Sequence, residues 1–419
     1  MKRAICLILS ILLLCAMPLG LAGCGAQTET KEATDLMADI KAGNPDPVSD
    51  LTTDSARLTD FAMRLFKAAQ EEGKNTLVSP LSVLCALAMT ANGAAGETRA
   101  QMEAVLGMKA EELNRYLCTY MEGLSRDEKN KLHLANSIWF TDDERFTVNR
   151  EFLQTNADYY GADLYRTPFN DGACKAINDW VKEKTEGMIP EILDRIPPDA
   201  IMYLVNALAF EAEWEEIYEN FQVNEGYFTT EDGQRRAVEF MANMEHDYLE
   251  TAKATGFLKY YAGRQYAFAA LLPNEGISVS ELLDSLTGAE LQELLTHPEG
   301  TPVETAIPKF ETDYDTELSG VLSAMGMPLA FDSGRADFSA LGASDAGNIF
   351  INRVLHKTFI SVTEQGTRAG AATVVEMNCG AAMMEDMKTV ILDRPFVYML
   401  VDCRTGTPFF IGTMMDPGK

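Results

Sequence analysis

Histidine is scarce in this chain: His133, His246, His297 and His356 are the only four, and none stands in H-E-x-x-H. No G-x-S-x-G occurs, so the nucleophile elbow of the α/β-hydrolases is missing. Gly73-Lys74 lacks the upstream glycine of a phosphate loop and is followed by Asn75, where Ser or Thr is needed. Asp142-Asp143 lies in a polar stretch and reads as a solvated pair. No enzyme chemistry is signalled, and no cofactor or metal is implied. Positive charge is also short. Lys plus Arg is 35 against 63 Asp plus Glu, a net charge of −28. Such a chain repels nucleic acid and anionic membrane surfaces, and its natural partners are cationic. No cysteine pair has C-x-x-C spacing. There are no repeats of 20–50 residues and, after the N-terminus, no further long apolar run.

What is present begins at that N-terminus. Lys2 and Arg3 precede an apolar run from Ile5 to Leu14, and Leu21-Ala22-Gly23-Cys24 resembles a bacterial lipobox. Residues 1–23 are therefore expected to be a lipoprotein signal peptide. Cys24 is the expected lipid attachment point and the only membrane contact, anchoring the protein outside the cell. Residues 24–50, with Asn44-Pro45-Asp46-Pro47, read as a flexible tether, and 51–419 as one domain. Cys6 and Cys15 leave with the signal. Cys85, Cys118, Cys174, Cys379 and Cys403 then remain, an odd set that argues against a disulfide framework.

The first half is mainly helical. Helical spacing predicts helices over Leu58–Ala69, Leu81–Thr90, Thr98–Leu106, Ala110–Leu124, Glu151–Tyr160 and Ala173–Glu186. Ser79 can cap the second, with Pro80 at its first position. Strand patterns appear at Lys131–Phe140 and Ala200–Ala209, then dominate: Tyr227–Thr230, Arg236–Met241, Phe257–Tyr261, Tyr266–Leu272, Pro302–Phe310, Ile349–Thr363 and a closing hairpin from Phe396 to Met415. Helices first and antiparallel strands later give an α+β class.

One stretch is unusual. After Glu364-Gln365-Gly366-Thr367-Arg368 comes Ala369-Gly370-Ala371-Ala372-Thr373, a run of tiny residues between strand formers. Two glycines disfavour helix there. As a strand, Thr367, Ala369, Ala371, Thr373, Val375 and Met377 share one face, which is small or apolar throughout. The other face, from Arg368 to Asn378, holds every charge. This surface loop is thus also a strand with one buriable side.

Val354 to Thr367, followed by Ala369 to Thr373, resembles the hinge of inhibitory serpins. Other segments support the likeness in order. They are Asn75 to Ser82, Asn92 to Thr98, Ile177 to Val181 with Thr185 to Ile189, Val205 to Phe210 with Trp214, Leu271-Leu272-Pro273, Arg394-Pro395-Phe396, Phe409 to Gly412 and Met415-Asp416-Pro417. The match covers about residues 55–418. It implies the serpin fold, with helices packed around three β-sheets and an exposed reactive-centre loop at about 364–394. It implies a monomeric suicide substrate for serine proteases, with cysteine proteases as a second class of partner. The hinge would comprise Glu364, Gly366, Thr367, Ala369, Gly370, Ala371, Ala372 and Thr373. Ser79, Ser82, Asn206 and His356 would form the network where central strands part, and Trp214 would stand where the loop enters the sheet. Counting forward from Glu364 puts the cleaved bond at Gly380–Ala381. Counting back from Pro395-Phe396 points near Met384, and Cys379 and Met383 stay open. A non-inhibitory serpin, serving as a binding or chaperone-like surface protein, is the alternative. The segment Thr98–Gly107 is not basic, so no heparin activation is expected.

Overall fold

The computed structural model describes residues 33–418, apart from 125, 128, 198–199, 346 and 368–386. Three sheets organise the described residues, with a fourth two-stranded ladder, Phe146–Val148 with Gly342–Ser344. The large sheet runs, in spatial order, Thr34–Asp35, Asp163–Thr167, Asn130–Thr141, Met202–Glu213, Gly366–Thr367, Leu355–Thr363 and Phe310–Glu317. A six-stranded sheet contains the closing hairpin Phe396–Asp402 and Thr407–Met414. A four-stranded sheet runs Lys388–Ile391, Val303–Pro308, Arg235–Glu245 and Val223–Thr229.

The helix Pro80–Ala91 is buried along its whole length and packs against both the large and the six-stranded sheet. Its start has the expected chemistry: the Ser79 side chain accepts the Ser82 N–H at 3.3 Å, and Pro80 needs no donor partner. On the strand Met202–Glu213, Leu204, Leu208, Phe210 and Ala212 face this core. Tyr203 and Val205 face the opposite side, where Ile177, Trp180 and Val181 of the helix Asp171–Lys184 cover them with Trp139. Both faces of this strand are therefore buried at its lower part, which explains its near-continuous apolar run.

Several expectations need correction. The expected flexible tether is docked from residue 34. Thr34–Asp35 pairs with Tyr165–Arg166, and Leu36, Met37 and Ile40 pack on the core. The Gly43 N–H reaches Asp158 at 2.6 Å, and the Val48 N–H reaches Thr119 at 2.9 Å. The compact unit thus begins well before residue 51, because three apolar side chains hidden among polar ones find a sheet edge. The first helix starts at Thr52, six residues early, with Ser55 and Thr59 buried on its inner face. The second half holds three helices that hydrophobic spacing missed: Val279–Ser285, Gly288–Thr296 and Ser319–Met325. The first two begin with capping boxes, Ser278 with Glu281 and Thr287 with Glu290. The expected strand Pro302–Phe310 is two strands in different sheets. The second, Phe310–Glu317, alternates inward Phe310 and Thr312 with acidic residues facing out. The expected strand Ile349–Thr363 begins only at Leu355. Four free cysteines lie among the described residues, Cys85 and Cys174 buried and Cys118 and Cys403 half-buried.

Candidate functional site: the split in the large sheet

The strands Met202–Glu213 and Leu355–Thr363 run parallel, and they bridge each other directly at Leu204 and Val354. Higher up they are forced apart by a wedge of two residues. Gly366 pairs with Glu213 on one side and Thr363 on the other; Thr367 pairs with Ala212 and Val362. Thr367 points into the core at 2% exposure, and its hydroxyl lies 2.5 Å from that of Tyr261. Gly366 sits at φ +151°, and a Cβ there would lie 2.0 Å from the Ala212 carbonyl oxygen, so no other residue fits.

The turn before the wedge is gripped from one short segment. The Trp214 indole N–H donates to the Thr363 carbonyl at 2.8 Å, and the Trp214 backbone N–H to that of Gln365 at 3.0 Å. The Tyr218 N–H donates to the Glu364 carbonyl at 2.9 Å. Trp214 stacks on Tyr261 with centroids 4.4 Å apart. Glu364 pairs with Lys309 at 3.0 Å, and Lys309 also reaches Glu239 at 3.3 Å. The Glu364 backbone N–H and then this ammonium hold its carboxyl below the ordinary range.

Below the wedge lies a buried polar network. The Ser79 backbone N–H donates to His356 Nε2 at 3.0 Å. Ser82 Oγ donates to Asn206 Oδ1, and Asn206 Nδ2 to Asn136 Oδ1. The Ser79 cap on the Ser82 N–H joins the two halves. His356 is an acceptor here and therefore neutral. Full burial depresses its pKa to about 4, because the charged ring would lose its water. All four residues expected in this network meet around the point where the two strands converge.

Trp214, Glu364, Gly366 and Thr367 likewise gather at the mouth of the split. Ala369, Gly370, Ala371, Ala372, Thr373, Cys379, Gly380, Ala381, Met383 and Met384 lie outside the described residues, as does Cys24. The chain is described again at Met387, and Lys388–Ile391 pairs in parallel with Val303–Ala306. Asn136, Tyr261 and Lys309 carry no mark in the sequence. Asn136 lies in an alternating strand pattern, and Tyr261 and Lys309 stand at strand ends where nothing local distinguishes them.

This geometry has counterparts among known proteins. The family model described as serpin (serine protease inhibitor) matches residues 56–417. The human leukocyte elastase inhibitor is 30% identical over 382 residues, covering 87% of this chain and 99% of that protein. The thermophilic serpin tengpin in its native state superposes with a TM-score of 0.88 at 46% identity, covering 92% of this chain and 100% of that one. In its latent state tengpin scores 0.78 at 43% identity, covering 90% of this chain and 100% of that one. The chain superposes more closely on tengpin in its native state than on tengpin in its latent state.

Proposed function

From the premise that the chain belongs to the serpin family, we propose that it inhibits serine proteases as a suicide substrate rather than acting as an enzyme. A protease cuts the loop between Thr367 and Lys388 and is held as an acyl-enzyme. The freed loop then enters the split in the large sheet and carries the protease with it. The observation that carries this reading is the wedge, because its register and phase define where each residue after Thr367 would sit.

Continuing the register downward sets residue 369 beside Phe210 and Ile360, and residue 371 beside Leu208 and Thr358. Thr373 arrives between Asn206 and His356, a small polar residue at the buried polar network. Residue 377 reaches Met202, the lower end of its strand. Thr367 faces the core, so strand alternation sends Ala369, Ala371, Thr373, Val375 and Met377 the same way. That is the small, apolar face. Arg368 and Glu376 turn outward. From Thr367 to Met377 the inserted strand spans roughly 33 Å. Only a short connector then remains before Gly380–Ala381, which supports the forward count over Met383 or Met384 and leaves Cys379 as the alternate one residue earlier.

Cys379-Gly380-Ala381-Ala382 is small and uncharged, and no Lys or Arg stands between Arg368 and Lys388. This favours proteases with shallow, apolar specificity pockets, of the elastase or subtilisin type. The proposal includes lipidation at Cys24, which would display a monomeric inhibitor on the outer face of the cell membrane.

The test is incubation with an elastase-like and a subtilisin-like protease. An SDS-resistant complex, together with a released C-terminal fragment beginning at Ala381, is expected. A chain that is only nicked, with the protease left fully active, would support the non-inhibitory alternative.

A further inference from the structure

A lysine is buried beneath the mouth of the split. Lys259, on the strand Ala254–Tyr260, is 1% exposed. Its ammonium lies 2.8 Å from Glu245, the last residue of the strand Arg235–Glu245. It also lies 4.4 Å from the centre of the Tyr218 ring and 5.4 Å from that of Trp214. Tyr218 is itself buried, and its hydroxyl has no hydrogen-bond partner among the described residues. The ring face toward the ammonium is therefore the polar attachment of this side chain.

Two features argue that this pair is not there for stability. Taking both charges out of water generally costs as much as their attraction returns. Burial pushes the Glu245 carboxyl above its ordinary pKa even with the ammonium in contact. The pair touches the apparatus that holds the hinge. Trp214 and Tyr218 supply all three of the hydrogen bonds described above to the turn 363–365. Tyr261, two residues beyond Lys259 and on the same side of the chain, stacks on Trp214 and meets the Thr367 hydroxyl. One ammonium thus underlies both aromatic rings whose residues grip the turn.

We propose that the Lys259–Glu245 pair is a positioning element for loop insertion: it fixes Trp214 and Tyr218, and through them holds Gly366–Thr367 in register as a preformed start for the inserted strand. Fixing two residues in advance spares the freed loop its nucleation step. Insertion then outruns hydrolysis of the acyl-enzyme. This rests on the inhibitor reading and concerns its rate.

The experiment compares the wild type with Lys259→Met, Lys259→Arg and the double variant Lys259→Met/Glu245→Leu. Each protein is nicked in the loop by a protease, and the rate at which it gains heat resistance is followed. The number of molecules nicked per protease trapped is measured in parallel. Lys259→Met is expected to slow insertion about three- to tenfold and to raise the nicked fraction accordingly. Lys259→Arg keeps a cation over both rings and should restore the wild-type rate. The double variant, whose core is apolar again, should recover its melting temperature but still insert slowly. If it inserts as fast as the wild type, the pair has only a packing role and the proposal is overturned. If the wild type itself gains no heat resistance on nicking, the inhibitor reading fails first, and the proposal with it.

Discussion

The two feet of the expected reactive-centre loop, Gly366–Thr367 and Met387–Ile391, are built differently. At Thr367 the chain is paired on both sides, inside a sheet, with its side chain buried. At Met387 it returns 44% exposed, and Lys388–Ile391 is the edge strand of its sheet, paired on one side only among the described residues. The residues differ to match. The first foot has a glycine that no Cβ could replace and a small polar residue with a buried partner. The second has Met387 and Ile391 facing water. The first foot offers an incoming strand partners on both edges, and the second offers a partner on one.

The comparison breaks most visibly with a charge. Thr367→Arg would bury an unpaired cation at the first foot, at a cost of several kcal/mol. Trapping should fall more than about a hundredfold while cutting of the loop continues, read as loss of the SDS-resistant complex. Thr389→Arg, on the exposed face of the second foot, should leave the complex intact.

The slot beneath the first foot should also be sensitive to acid. His356 is held neutral with a pKa of about 4. The unfolded ring takes its proton near pH 6.5, so as pH falls the unfolded state binds protons first. Stability is then lost progressively from about pH 6.5 down to about pH 4 and levels off below. The loss from this residue is on the order of 3 kcal/mol. Denaturant midpoints across that range should show it. His356→Gln should flatten the profile over the same interval.

Gly366→Ala places a Cβ against the Ala212 carbonyl at a backbone angle that side chains avoid. Roughly 1–3 kcal/mol of destabilisation is expected, confined to the wedge. Amide exchange of Ala212 and Thr363 would report it. The smallest effect belongs to Glu364→Gln, which breaks a half-exposed pair with Lys309. About 0.2–1 kcal/mol is expected at low salt, and less at high salt.

Much of the first foot is legible in the sequence, because its information is local. The alternation from Thr367 to Met377 has one inserting phase, and the observed direction of Thr367 agrees with it. Ser79 before Pro80 is a helix start readable from two residues. The rest is long-range. Asn136 meets Asn206 across 70 positions, and Tyr261 meets Thr367 across 106. Lys259 has the look of an ordinary polar residue in a strand and is fully enclosed. The docking of Leu36, Met37 and Ile40 is hidden because three apolar residues in an acidic, proline-containing segment resemble a linker until a sheet edge is available to them.

The central proposal is that, after cleavage, the residues following Thr367 become a strand of the large sheet in one defined register. Amide hydrogen exchange on the protein nicked at its loop tests this most directly. The account predicts that amides 369–377 become as protected as those of Met202–Glu213, with Thr373 shielded alongside Asn206 and His356. Exchange of 369–377 at the rate of an unstructured peptide after nicking would contradict it.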